Sequence, residues 1–157
     1  MTDATILQAM TSITRRYVPA VMVGISLIFA PLIPAQPNAS AVMTRLYTGS
    51  DGQTHAEEAE ARFVTRPDGI GQTPLVKTTG FFYLKLPAGY VQEWHPAPRR
   101  QFVITVSGRF EIELADGKKI PLEPGRVILA EDITGKGHLS RCLGPEDCIL
   151  AEVPLAE

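Results

Sequence analysis

Between residues 95 and 101 the chain sets an imidazole, a guanidinium and an amide at even spacing: His95, Arg99 and Gln101, with Ala97 among them. In extended backbone, residues two apart share a face. These four side chains therefore project together wherever Pro96 and Pro98 leave the alternation intact. Imidazole nitrogens and carbonyl oxygens can ligate divalent transition metals, and an imidazole can equally carry protons near neutral pH. Arg99 and Arg100 are adjacent, so in a strand one faces in and the other out. An inward arginine would orient a carboxylate or phosphate with its planar fork; as a surface pair the two would bond nearby Glu or Asp. Glu93 lies on the same alternation as His95 and offers a carboxylate there or at the rim. Trp94 and Tyr83 are candidate substrate-binding residues at a pocket mouth, or else core aromatics. Further along, Glu131 and Asp132 precede His138, and one of these carboxylates could act as a general base or cap the Gly-rich loop between them. His55 reads as a surface turn residue.

The elements that must position these groups are strands. Thirteen Gly and thirteen Pro punctuate short runs rich in Val, Ile, Phe and Thr, a pattern of many strands joined by tight turns. Leu75 to Leu86 is strand-like, Val91 to His95 continues extended, and Arg100 to Val106 runs into Ser107-Gly108. Arg109 to Leu114 alternates strictly, with Phe110, Ile112 and Leu114 on one face and Glu111 and Glu113 on the other. Asp116-Gly117 turns this run into Lys118 to Leu122 as a hairpin. Arg126 to Ala130, His138 to Leu143 and Cys148 to Val153 complete the set, and Glu57-Glu58-Ala59-Glu60 reads as a solvated face. No stretch has helical periodicity, so an all-β fold is expected.

The 157 residues leave room for one domain and a short appendage. Fifteen basic against seventeen acidic side chains give a net charge of −2, so there is no broad basic field for a phosphate backbone and nucleic acid is not an expected partner. Residues 1–42 differ in character. Arg15 and Arg16 precede an uncharged run to Ala35, and Ala39-Ser40-Ala41 places small residues at a possible cut. Basic, apolar, small is the order of a secretory signal, which predicts cleavage near Ala41 and export to a periplasmic or extracellular space. A retained anchor and a cytoplasmic start at Met43 are the other readings. Pro19 and Pro31 leave about 11–12 unbroken apolar residues, short of the roughly 20 a spanning helix needs, so no stable membrane span is expected after processing. Cys142 and Cys148 flank a turn, where an exported protein could join them as a disulfide and a cytosolic one would keep two small packing residues.

Gly89-x5-His95-x-Ala97-x3-Gln101-x6-Gly108 resembles the first motif of the cupins, with Ala97 where that family has a second histidine and Gln101 where it usually has Glu. Gly125, a strand, and His138 resemble the second motif, with Glu131 to Gly135 two residues longer than usual and Cys142 in the place of the last Asn. The resemblance spans about residues 75–153 and implies a cupin-type jelly-roll barrel over 43–157, with the motif residues inward. It further implies a pocket in which His95, Gln101 and His138 hold a divalent metal (Fe, Mn, Ni or Zn), one anion poorer than the family's usual set. His95 and His138 would be the catalytic groups. Arg99, Tyr83 and Trp94 would bind a small, anionic substrate of an oxygenase, isomerase or lyase. A metal-free enzyme using histidine acid/base chemistry and a non-catalytic binding barrel are the alternatives. Small cupins commonly pair through edge strands, so a homodimer is expected, with Arg45 to Thr48 as edge donor.

Overall fold

The computed structural model describes residues 41–156. The signal-like segment expected over residues 1–42 lies outside the described residues, apart from Ala41 and Val42 at its end. Twelve strands follow: β1 (Val42–Thr48), β2 (Thr54–Glu60), β3 (Val64–Thr65), β4 (Gly71–Gln72), β5 (Phe82–Leu86), β6 (Val91–His95), β7 (Gln101–Ser107), β8 (Phe110–Glu113), β9 (Lys119–Leu122), β10 (Val127–Glu131), β11 (His138–Cys142) and β12 (Cys148–Pro154). The described residues contain no helix, and so none long and apolar enough to cross a membrane.

A six-stranded sheet in the order β2-β1-β10-β7-β12-β5 faces a four-stranded sheet in the order β6-β11-β8-β9, with β3 and β4 as a separate ribbon. Alternation builds both inner faces. Phe110, Ile112 and Leu114 turn inward from the β8 side, as their spacing predicts, against Leu46, Val103, Ile128 and Leu150 of the larger sheet. Each such buried side chain is worth about 1.5–3 kcal/mol relative to exposure. The expected hairpin pairs Phe110 with Leu122 and Ile112 with Ile120. Its turn is held by Gly117 at φ 83° and by the Lys118 amide donating to Asp116 Oδ1.

Two expectations need correction. Strand β1 is not an edge: it lies between β2 and β10, parallel to the latter with Leu46 opposite Ala130. Its Leu46 is fully buried, and that apolar anchor draws the strand into the sheet. The edges of the larger sheet are β2 and β5. The run from Leu75 to Leu86 is strand only over β5, because its first half touches the sheet at a single bridge, Thr78 to Leu155.

Candidate functional site

Three local devices bring the candidate residues together. The first is a bulge. Strand β11 pairs His138 with His95 and Ser140 with Gln92, so β6 spends three residues where β11 spends two, and the extra residue re-aims the side chains around it. Gln92 and His95, three apart, both line the interior. Glu93 is left exposed outside, and simple alternation, which would have put it beside His95, fails there.

The second device is the bend at residues 98–100. Ala97 and Gln101 both point inward, but the bend cancels the alternation between them and leaves Arg99 and Arg100 exposed. Arg100 donates from Nε to Glu131 Oε1 at 3.0 Å, and Arg45 donates to the other oxygen at 2.7 Å. Arg99 therefore does not line the cavity, contrary to its expected substrate-binding role.

The third device is the loop before β11. Gly137 sits at φ 74°, and a Cβ there would lie 1.9 Å from the His95 carbonyl oxygen. Only glycine lets the loop pass this close, and the passage seats His138 beside His95, their ring centroids 4.7 Å apart.

Between the sheets these devices enclose a cavity of about 260 Å³, lined at its polar part by Gln92, His95, Gln101, His138, Ser140 and Glu152. His138, 6% exposed, shares a hydrogen bond of 2.6 Å between Nδ1 and Asp132 Oδ2. Asp132 is fully buried, and the same oxygen accepts from the Thr54 hydroxyl at 2.9 Å. His95 Nδ1 lies 2.7 Å from the Glu93 carbonyl. A carbonyl only accepts, so Nδ1 carries the proton and a neutral His95 presents a bare Nε2. Burial pushes this imidazole below its ordinary value, with the Glu93 carbonyl acting the other way. Glu152 moves in the opposite direction: burial pushes its carboxyl up, against the neighbouring Gln101 amide and the Arg99 charge.

Sequence reasoning left two of these groups without their parts. Asp132 was a candidate base or cap, and the structure makes it the partner of His138. Glu152 went unread, although an acid at inward parity between Leu150 and Pro154 in an apolar strand was its signal. Conversely, Tyr83 is 65% exposed and packs edge-on against Phe81, while Phe82 lines the cavity. Trp94 lies outside the lining, beneath the Lys136 ammonium at 4.2 Å. Neither aromatic takes the pocket-mouth position expected of it, because each falls on the outward parity of its strand. His55 pairs with Asp51 on the surface at 3.1 Å, as its turn setting predicts. Cys142 and Cys148 are joined as a disulfide.

The segments resembling the two cupin motifs thus meet in one barrel of a six-stranded and a four-stranded sheet, with His95 and His138 paired on neighbouring strands of the smaller one. The fold is that of the cupins. Solved structures similar to this chain include a cupin domain from Bordetella pertussis Tohama I, 16% identical over 49% of this chain and 80% of that one, with a TM-score of 0.41. KdgF from a Halomonas species is 26% identical over 61% and 88%, at 0.38. QdtA, a sugar 3,4-ketoisomerase from Thermoanaerobacterium thermosaccharolyticum in complex with TDP, is 12% identical over 75% and 82%, at 0.41. No family model matches the sequence, and no curated protein matches it either. Similarity at this level assigns neither substrate nor reaction to this chain, so its chemistry rests on its own side chains.

As a metal site those side chains are a poor set. Two imidazoles and the Gln101 amide would supply three neutral donors, and among the described residues no three His, Cys, Asp or Glu gather at metal-binding spacing. One feature suits a cation: Gln101, 4% exposed, has a buried Oε1 with no hydrogen-bond partner.

Proposed function

We propose that this cupin is a small-molecule enzyme that moves protons through His95 and the His138–Asp132 pair, without a resident metal. The observation that carries the reading is the buried 2.6 Å bond from Asp132 to His138 Nδ1 in a cavity that also holds His95. The Asp132 carboxylate fixes the His138 ring with Nε2 toward the cavity and stabilises positive charge on it, as a buried carboxylate does for a catalytic histidine. Burial keeps His95 neutral and ready to accept a proton at Nε2. A bare imidazole beside a ring braced by a buried carboxylate suits removal of a proton at one substrate atom and its return at another, the pattern of an isomerase or a lyase. Glu152 and Gln101 stand by as hydrogen-bond partners for the substrate oxygen.

A second reading, in which His95, Gln101 and His138 hold a divalent ion (Fe, Mn, Ni or Zn), draws on the unpartnered Gln101 Oε1. Gln101→Glu separates the two. A metal site would bind more tightly with an anionic ligand in a partly dehydrated cavity. Calorimetric titration with manganese, iron(II), nickel and zinc is expected to show no binding by the wild type. Binding by the wild type that tightens in Gln101→Glu would replace the proton-transfer reading with the metal one.

Export and self-association belong to the same proposal. The Cys142–Cys148 bond suits an oxidising compartment, and intact mass of natively expressed protein is expected to begin near Val42. The β5 edge, with Phe81, Phe82 and Tyr83 exposed along it, is the surface offered for pairing two copies. Light scattering at micromolar concentration checks the dimer.

A further inference from the structure

Building on the reading of His95 and His138 as the reacting pair, we propose that the ligand of this cavity is an uncharged, largely apolar molecule of about ten non-hydrogen atoms that presents one carbonyl or hydroxyl oxygen to the two rings. The size follows from the cavity. At about 260 Å³ it is less than twice the roughly 150 Å³ that holds a benzene ring. Phe82 and Pro98, both exposed yet part of the lining, mark where it opens.

The charge class follows from what lines the wall. Beyond the polar cluster around His95 and His138, the cavity is closed by side chains such as Leu46, Leu84, Val103, Phe110, Ile112 and Ile128. Among the described residues neither Arg nor Lys lines it. Arg100 and Arg45 are engaged outside with Glu131 and Lys136 lies over Trp94, while Arg99 is exposed at the bend. An anion entering would lose its water without gaining a cationic partner from the lining. The expectation of an anionic substrate, which leaned on an inward Arg99, is thereby replaced.

An ammonium group would also lose its water, and the one carboxyl of the lining, Glu152, is pushed by burial toward its uncharged form. A neutral oxygen leaves nothing unpaired. As a hydroxyl it can donate to the bare Nε2 of His95 or to the orphaned Gln101 Oε1, and it can accept from His138 Nε2 when that ring holds a second proton against Asp132.

The test uses the full chain and four probes sharing one ring: benzaldehyde, benzyl alcohol, benzoate and benzylamine, titrated at pH 7.5 while the His95 and His138 ring signals are followed by NMR. The expected result is that the aldehyde or the alcohol shifts both rings and binds at least tenfold more tightly than benzoate and benzylamine. Benzoate or benzylamine binding as well as the neutral probes would overturn the charge class, and failure of both neutral probes to shift the rings would overturn the apolar class. The ligand-free spectra report separately on the reacting pair. If they show His95 with its proton on Nδ1 and His138 bonded to Asp132 while the neutral probes fail, the substrate class falls and the proton-transfer reading survives.

Discussion

Removing the Asp132 carboxylate is expected to damage the barrel and its chemistry by separable amounts. In Asp132→Ala two buried donors lose their acceptor: the His138 ring at 2.6 Å and the Thr54 hydroxyl at 2.9 Å. Thr54 is 2% exposed, so water does not readily replace the lost partner. Each stranded donor costs about 1–3 kcal/mol, giving roughly 2–6 kcal/mol in all, a large share of the roughly 5–15 kcal/mol that holds a domain together. Asp132→Asn keeps the shape and one acceptor oxygen. It loses the charge, and a charge-assisted bond exceeds a neutral one by about 1–2 kcal/mol, so Asn should be far milder for the fold. Function should reverse that leniency. An Asn amide can turn its nitrogen to Nδ1 and force the His138 proton onto Nε2, and it no longer stabilises positive charge on that ring, so turnover should fall by at least the roughly tenfold that 1.4 kcal/mol represents. Urea unfolding gives the first quantity, and long-range proton–nitrogen correlation on the rings gives the second independently of any substrate. If Asp132→Ala costs less than about 1 kcal/mol, or Asp132→Asn leaves the His138 ring proton where it was, the buried pair does not do what is argued for it.

Gly137→Ala should be among the most damaging small substitutions in the chain. The added methyl meets the His95 carbonyl at 1.9 Å and the residue is held at φ 74°, so the left-handed conformation alone costs about 1–2 kcal/mol; circular-dichroism melts and loss of ring shifts with ligand check it. Reduction of Cys142–Cys148, which spans a sequence separation of 6, should lower stability by about 2–2.5 kcal/mol from loop entropy, read as a shift in urea midpoint with and without reductant. Because burial lowers His95, the acid limb of kcat/KM should fall below the ordinary histidine value of about 6.5, and His95→Ala should abolish that limb rather than displace it. The same shift has a stability consequence of definite sign. The unfolded chain takes up this proton at about pH 6.5 and the folded one resists it, so the contribution of His95 to stability is full above that value and declines as the pH falls toward the folded one.

Much of the barrel was legible in the sequence because strand periodicity is local. Phe110, Ile112 and Leu114 alternate with glutamates, Asp116-Gly117 supplies the turn, and these choices need no knowledge of distant residues. The spacing of Gly89, His95, Gln101, Gly108 and His138 likewise carried the fold and the two histidines, since a resemblance of spacing survives changes of residue type. Wherever parity was broken or partners came from afar, only the tertiary structure decided. The bulge that pairs His95 with His138 while turning Glu93 out depends on how β6 meets β11, and one extra residue inverts every inference from alternation beyond it. The bend at 98–100 sent Arg99 outward for the same reason. Strand β1 looked like an edge because it comes first, and its parallel pairing with β10, more than eighty residues downstream, is a long-range contact that no local pattern encodes. Asp132 and Thr54 meet across 78 residues of sequence, and Glu152 reaches the Gln101 side of the cavity only because β12 lies beside β7. Composition and alternation fixed which side chains could be buried; the packing of one sheet on the other determined which of the buried polar groups face each other.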